Sequence, residues 1–171
     1  MIRLSNMKNN LTHEYVSKIL SYDHETGLFL WKRSSGKASV GKEAGTVMSK
    51  GYRCIWIDGR PYYAHRLAWL MHTGRWPERH IDHINMNRLD NSFGNLRQAT
   101  NGQNRHNQGV PKNNTSGYKG VCWNKSSQKW QASIKKDGVR TYLGFFDDPY
   151  IAHLAYCKAS AELHGEYGRV A

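Results

Sequence analysis

The stretch from Arg79 to Gln108, RHIDHINMNRLDNSFGNLRQATNGQNRHNQ, constrains the rest of the chain. Rich in asparagine and poor in apolar side chains, it cannot serve as a core element. Short amides bond nearby backbone groups instead, so its middle reads as a compact loop of Asn85, Asn87, Asp90, Asn91, Gly94 and Asn95. Leu89, Phe93 and Leu96 are available to anchor that loop from beneath. The stretch opens on the step Asp82-His83 and closes on a polar cluster around Asn104. Those two ends could meet at one metal ion.

The supply of core residues elsewhere is modest. With 39% hydrophobic residues in a chain of 171 and a mean hydropathy of -0.76, small modules are expected in place of one large core. Lys and Arg outnumber Asp and Glu by 25 to 13, giving a net charge of +12 and a pI near 9.8, which suits a polyanion. No basic amphipathic helix is present to lie on a membrane, so double-stranded DNA is the expected partner. No segment approaches the length of a membrane span, and MIRLSNMKNN lacks the apolar run of a leader. Cys54, Cys122 and Cys157 are widely spaced and form no C-x-x-C pair, which argues for idle thiols in a reducing compartment and against a zinc cluster. A soluble, cytoplasmic chain is expected; nothing in the sequence sets its oligomeric state, and a monomer is compatible with it.

In chain order, Thr12 can cap a short helix that buries Tyr15, Val16, Ile19 and Leu20 along one face. A turn around Glu25-Thr26-Gly27 leads into an apolar strand. The Arg53-to-Ile57 run then meets Asp58-Gly59, a dipeptide suited to a two-residue hairpin turn, and Pro61 places the return strand at a sheet edge. Ile55 and Ile57 should share one face, with Tyr52 and Trp56 on the other. Arg53, Arg60 and Tyr62 are assigned to solvated surface. Residues 64–73 predict a helix that buries Leu67, Ala68 and Met71 and stops at Gly74. His65 and Arg66 near its start, and His80 later, are placed at the surface; whether His65 or His80 joins the site is left open.

Phosphodiester hydrolysis needs a metal to polarise the phosphate and a base to deprotonate water. Asp82 supplies a hard oxygen and His83 a base that can be neutral near pH 7. A second oxygen donor is required, and Asn104 is well placed: Thr100 and Gln103 form a capping box that sets it in a short helix. That helix is polar nearly all round and carries Gly102, so something beyond propensity must hold it, and a shared metal would serve. In a regular strand Asp82 and His83 would point to opposite faces, so the strand is expected to end, twist or bulge at this step.

The runs HRLAW, IDHIN, DNSFGNL and ATNGQN resemble the HNH endonucleases of phage and mobile elements, whose core is a strand-strand-helix metal finger. The resemblance spans roughly Tyr62 to Asn107, and the upstream YDHETG, LFLWK and GKEAG segments are also similar to that group. It implies Asp82 as metal-binding acid, His83 as general base, Asn95 as the central structural asparagine and Asn104 as second metal ligand. Asparagine instead of histidine in the last position, as in one homing-endonuclease branch, implies magnesium or manganese and not zinc.

After the mixed segment 109–117, read as a linker, three strands are expected over 118–123, 129–135 and 140–146. A helix capped by Asp147 or Asp148 should follow, ending at Gly165 and laying Ala152, Ala155, Ala159 and Leu163 against the sheet. The strand segment holds Lys112, Lys119, Lys125, Lys129, Lys135, Lys136 and Arg140 against Asp137 alone; the helix segment holds Lys158 and Arg169 against Asp147, Asp148, Glu162 and Glu166. The sheet, not the helix, should face DNA. YKGV, KWQASI, LGFF, AHLAY and HG resemble the plant ethylene-response-factor (APETALA-type) DNA-binding domain. That resemblance implies DNA contacts at Lys119, Lys135, Arg140 and Tyr142 with Trp123 nearby, while Cys122 and Ser133 depart from the family and leave base preference undefined.

The expected fold is α+β: a nuclease domain over 1–108 with its strand-strand-helix core in 62–108, the linker, and a three-stranded antiparallel sheet packed on one helix over 118–171. The expected function is metal-dependent DNA cleavage that nicks one strand to leave 5′-phosphate and 3′-hydroxyl. The alternative is a DNA-binding regulator on an inactive nuclease scaffold, for which an intact Asp82, His83 and Asn104 set would be unnecessary.

Overall fold

A computed structural model describes residues 11–34, 39–111 and 113–170, so the leader reading of residues 1–10 and the charge of Lys112 lie outside the described residues. The chain divides into two compact units, Met1–Gln98 and Ala99–Ala171. This division falls earlier than the position-108 boundary read from composition, and it assigns the segment 109–117 to the second unit.

In the first unit, Thr12 caps α1 (His13–Ile19), its hydroxyl accepting from the Tyr15 amide at 3.2 Å. Leu20, expected in the helix, instead starts β1 (Leu20–Tyr22), which pairs antiparallel with β2 (Phe29–Trp31). A second sheet orders β3 (Thr46–Val47), β4 (Arg53–Ile57) and β5 (Arg60–Tyr63), with β5 and its Pro61 at the edge. Asp58 and Gly59 both take positive φ, 50° and 73°, as a primed hairpin turn requires. α2 (Ala64–Thr73) stops at Gly74 in the left-handed region, φ 74°. One core joins these elements through Val16, Ile19, Leu20, Phe29, Ile55, Ile57, Leu67 and Leu70, and extends to Ile81 and Leu96 of the strand pair β6 (His80–His83) and β7 (Leu96–Ala99). Arg53 departs from its surface assignment: its guanidinium pairs with Glu43 at 2.7 Å and reaches the carbonyls of Ala44 and Gly45.

The second unit carries α3 (Asn101–His106), then the antiparallel sheet β8 (Val121–Asn124), β9 (Lys129–Lys136) and β10 (Val139–Phe146), with β9 central. α4 (Pro149–His164) follows, Asp148 accepting at its N-terminus from the amides of Tyr150 and Ile151 at 2.7 and 3.0 Å. α4 buries Ala152, Tyr156 and Ser160, one residue every turn, whereas Leu163 and the flanking Ala155 and Ala159 are only partly covered. An aromatic ring fits this stripe because Gly120, at φ 79°, lies beneath it; a Cβ there would come within 2.0 Å of the Tyr156 ring. Segment 113–117 is a bonded turn: the Asn114 side chain accepts from the Gly117 amide at 2.7 Å and donates to the Tyr118 carbonyl at 2.9 Å. The mixed α+β class follows from both units.

Candidate active site

β6 stays regular through Asp82 and ends at His83, so alternation sends the two side chains to opposite sides of the strand. The strand holds both residues, so the end expected between them comes only after His83. His83 shares the buried side with Ile81, and only 5% of it is exposed. Asp82 meets Arg97 of β7: one carboxylate oxygen, Oδ2, accepts from Nε and from Nη2, each at 3.0 Å. Arg97 escaped the sequence reading, because nothing in local spacing marks a partner fifteen residues away on a paired strand.

Between the two strands runs the asparagine loop, and each amide has a separate task. Asn95 is buried; its carbonyl oxygen accepts from the Asn85 amide at 2.9 Å while its amino group donates to the Asp90 carbonyl at 2.9 Å, tying both flanks of the loop together. Asp90 in turn accepts from Ser92 Oγ at 2.6 Å and from Asn85 Nδ2 at 2.7 Å, and these bonds hold its carboxyl below the ordinary range. Leu89 is no anchor. It stands 46% exposed at the loop tip and contributes its backbone only, whereas Leu96 is buried and Phe93 stacks on His72 at 3.6 Å.

Asn91 addresses His83 directly. Its amino group donates to the Leu89 carbonyl at 3.1 Å, which turns Oδ1 toward the imidazole, 3.3 Å from Nε2. An amide oxygen can only accept, so Nε2 carries the hydrogen and Nδ1 the lone pair. Burial lowers the pKa of His83, opposed by the Asn91 bond and then by the charges of Asp82 and Asp90. A neutral imidazole with a basic Nδ1 is the form in which histidine accepts a proton from water. Sequence alone marked Asn91 as a loop amide, without this role.

The ring of His83 meets those of His65 and Tyr52, at 5.2 and 6.0 Å between centroids. His65 corrects its surface placement: it is 8% exposed, stacked on Tyr63 at 5.4 Å, and its Nδ1 has no hydrogen-bond partner among the described residues. Desolvation, then the nearby charges of His83 and Arg66, pulls its pKa down to about 3. His80, by contrast, is exposed as expected.

The N-terminal hairpin buttresses this loop. Tyr22 donates from its hydroxyl to the Asn91 carbonyl at 2.8 Å, and the Phe93 amide donates to the His24 carbonyl at 2.9 Å. Gly27, at φ 75°, lies so close to Asn91 and Ser92 that a Cβ would come within 2.4 Å of their backbone. Gly27→Ala is therefore expected to lower the stability of the first unit by about 2–3 kcal/mol, from left-handed strain plus backbone displacement. Urea unfolding with unchanged midpoint would contradict the buttress.

In the second unit, the capping box of α3 is complete: the Gln103 amide donates to Thr100 Oγ1 at 3.2 Å and the Thr100 amide to Gln103 Oε1 at 2.8 Å. The polar helix is also fastened at its other end, so a metal is not required to hold it. Lys119 donates to the carbonyls of His106, at 2.7 Å, and Gln108, and the His106 ring stacks on His164 at 3.6 Å. Asn104 is the fourth residue of this helix, its amide closing the first turn on the Thr100 carbonyl at 3.0 Å.

The sheet pleat sorts the residues expected at DNA. Lys135 and Arg140 are register partners on the open face, and Tyr142, paired with Ser133, lies beside them with 63% of its surface exposed. Trp123 pairs with Trp130 in the same phase as buried Val121 and Ala132, so it belongs to the helix side, where the two indoles meet edge to face at 5.0 Å. Lys119 is half-buried under the end of α3, and burial followed by the charge of Arg169 pulls its pKa down to about 8. Cys122 is exposed, Cys54 buried and Cys157 partly covered, all three free. Among the described residues no helix is long and apolar enough to cross a membrane, and no three His, Cys, Asp or Glu side chains converge as a metal cluster.

Comparison with known proteins fits this geometry. A sequence model of the HNH endonuclease family matches residues 62–106, from β5 to the end of α3. Protein 3.8 of Escherichia phage T7 is 33% identical over 123 residues, 71% of this chain and 98% of that protein. A solved structure titled for DNA binding and cleavage by the HNH homing endonuclease I-HmuI shares 20% identity, over 84% of this chain and 76% of its own, at a TM-score of 0.38. The matched segment contains Asp82, His83, the asparagine loop and the capped helix, and with the phage relative it settles the question of kinship: the chain belongs to the HNH endonuclease family and is a DNA endonuclease.

Proposed function

We propose that this endonuclease is a metal-dependent nicking enzyme in which His83 is the general base, Asp82 and Asn104 are the metal ligands, and the open face of the C-terminal sheet brings the enzyme to its DNA. The observation that carries the reading is the Asn91-oriented His83, neutral at pH 7, one residue from a carboxylate. The donor set suits magnesium or manganese: a carboxylate and an amide oxygen are hard ligands, and such ions retain waters and take phosphate oxygens to complete their shell. The Asn104 assignment rests on the sequence motif. When bound, the ion would polarise the scissile phosphate and stabilise the leaving oxygen.

The remaining chemistry belongs to the chain. Nδ1 of His83 takes a proton from the attacking water, and Nε2–H stays on Asn91, so the imidazolium formed is held in place by a bond it already makes. Arg97 keeps Asp82 on its strand through a two-donor contact. Lys135 and Arg140 neutralise phosphate on the bound duplex, with Tyr142 beside them. One base and one ligand set serve one strand, hence a nick leaving 5′-phosphate and 3′-hydroxyl.

Supercoiled plasmid incubated with magnesium, with manganese and with chelator tests the reading, alongside Asp82→Ala. The expected result is metal-dependent conversion to open circles by the parent, and loss of at least about 100-fold in rate for the variant with DNA binding retained. Equal loss of binding and cutting would overturn the division of labour between the two units.

A further inference from the structure

The open face of the sheet is a ladder of three rungs. Lys135 pairs with Arg140, Ser133 with Tyr142, and Gln131 with Phe145 on one side and Cys122 on the other. A plain hairpin would not make the third rung. Continued alternation after Tyr142 would bring Gly144 to the open face and turn Phe145 toward the helix. The register shift between Tyr142 and Gly144 reverses this: Gly144 pairs with Ala132, Phe145 with Gln131, and Phe146 packs into the core. The shift depends on glycine, since position 144 has φ 133° and a Cβ there would stand 3.3 Å from the Phe146 ring. Its result is an aromatic side chain left 49% exposed beside an amide.

We propose that Gln131 and Phe145 form a base-reading pair for an A·T base pair in the major groove of double-stranded DNA. The inference rests on the reading of this face as the DNA-targeting surface, and adds which residues supply sequence preference. A neutral rung cannot neutralise phosphate; that task falls to Lys135 and Arg140 at the hairpin end. A glutamine amide presents a donor and an acceptor that match N7 and the N6 amine of adenine, and an aromatic ring packs on the thymine methyl. The amide of Gln131 has no side-chain hydrogen bond among the described residues, so neither group need be withdrawn from another partner. Successive rungs are two residues apart on β9, about 6.8 Å, or about two base-pair rises. The A·T pair should therefore fall at one end of a contact about four base pairs long.

The test uses the full chain in chelator, selected on duplexes with a randomised centre and then titrated onto the selected duplex. One A·T position is expected at the end of the preferred site. Gln131→Ala and Phe145→Ala should each weaken that duplex about tenfold and erase the preference at that position, leaving affinity for random duplex within about twofold. Replacing the thymine by uracil, which lacks the methyl, should weaken the parent but not Phe145→Ala. Replacing the adenine by 7-deazaadenine should weaken the parent but not Gln131→Ala. A preferred site that survives both substitutions, or one with G·C at that position, overturns the proposal and leaves the targeting reading intact. Selection that enriches no sequence, with binding unaffected by Lys135→Ala and Arg140→Ala, overturns the targeting reading and this inference with it.

Discussion

His83→Ala is expected to slow metal-dependent plasmid nicking by about 100- to 10,000-fold, the range spanned by positioned general bases, while affinity for the same DNA is retained. The side chain is buried, and its Nε2 contact to Asn91 belongs to the loop and not to a DNA-facing surface. The substitution thus removes a proton acceptor without removing a phosphate contact. Asn91→Ala should give a smaller loss of the same kind, because the base remains but its tautomer is no longer imposed; nitrogen chemical shifts of His83 would read that change apart from activity. Retention of rate within about tenfold in His83→Ala would transfer the base role elsewhere.

The elements best read from sequence are those fixed by local chemistry. Asp58-Gly59 required two positive φ angles and has them; Gly74 ended α2 where a left-handed residue was needed; Thr100 and Gln103 bonded each other within one turn. The asparagine loop was legible for the same reason, since it is closed by amides a few residues apart. What the sequence hid is set across strands. Arg97 meets Asp82, Arg53 meets Glu43, and the bulge at Leu143 decides which of Phe145 and Phe146 is covered. Resemblance to the plant DNA-binding domain placed Lys119 at DNA, whereas three-dimensional packing put its amine under the last carbonyls of α3. Helical periodicity likewise selected small residues on α4 because it could not know that Gly120 leaves room for the Tyr156 ring.

His65 gives the clearest case of a titrating group whose surroundings, not its neighbours in sequence, decide its behaviour. Its imidazole is enclosed by Tyr52, Tyr63 and His83, and its pKa of about 3 compares with 6.5 for the free side chain. The unfolded chain therefore binds a proton below pH 6.5 that the folded chain refuses until about pH 3. Stability contributed by neutral His65 is complete above the unfolded value and is lost as pH falls through this window. At about 1.4 kcal/mol per pH unit, acidification from pH 7 to pH 5 should cost the first unit about 2 kcal/mol through this residue. His83, also lowered by burial, adds a loss of the same sign. His65→Phe keeps an aromatic ring in the enclosure and removes the titration, so its stability should fall by about 2 kcal/mol less than the parent's over the same interval. Hydrogen exchange of the β4 and α2 amides at the two pH values, corrected for intrinsic rates, isolates the first unit from the second. A parent and variant that lose stability equally would mean that folded His65 accepts the proton, and that the ring enclosure opens well before the unit unfolds.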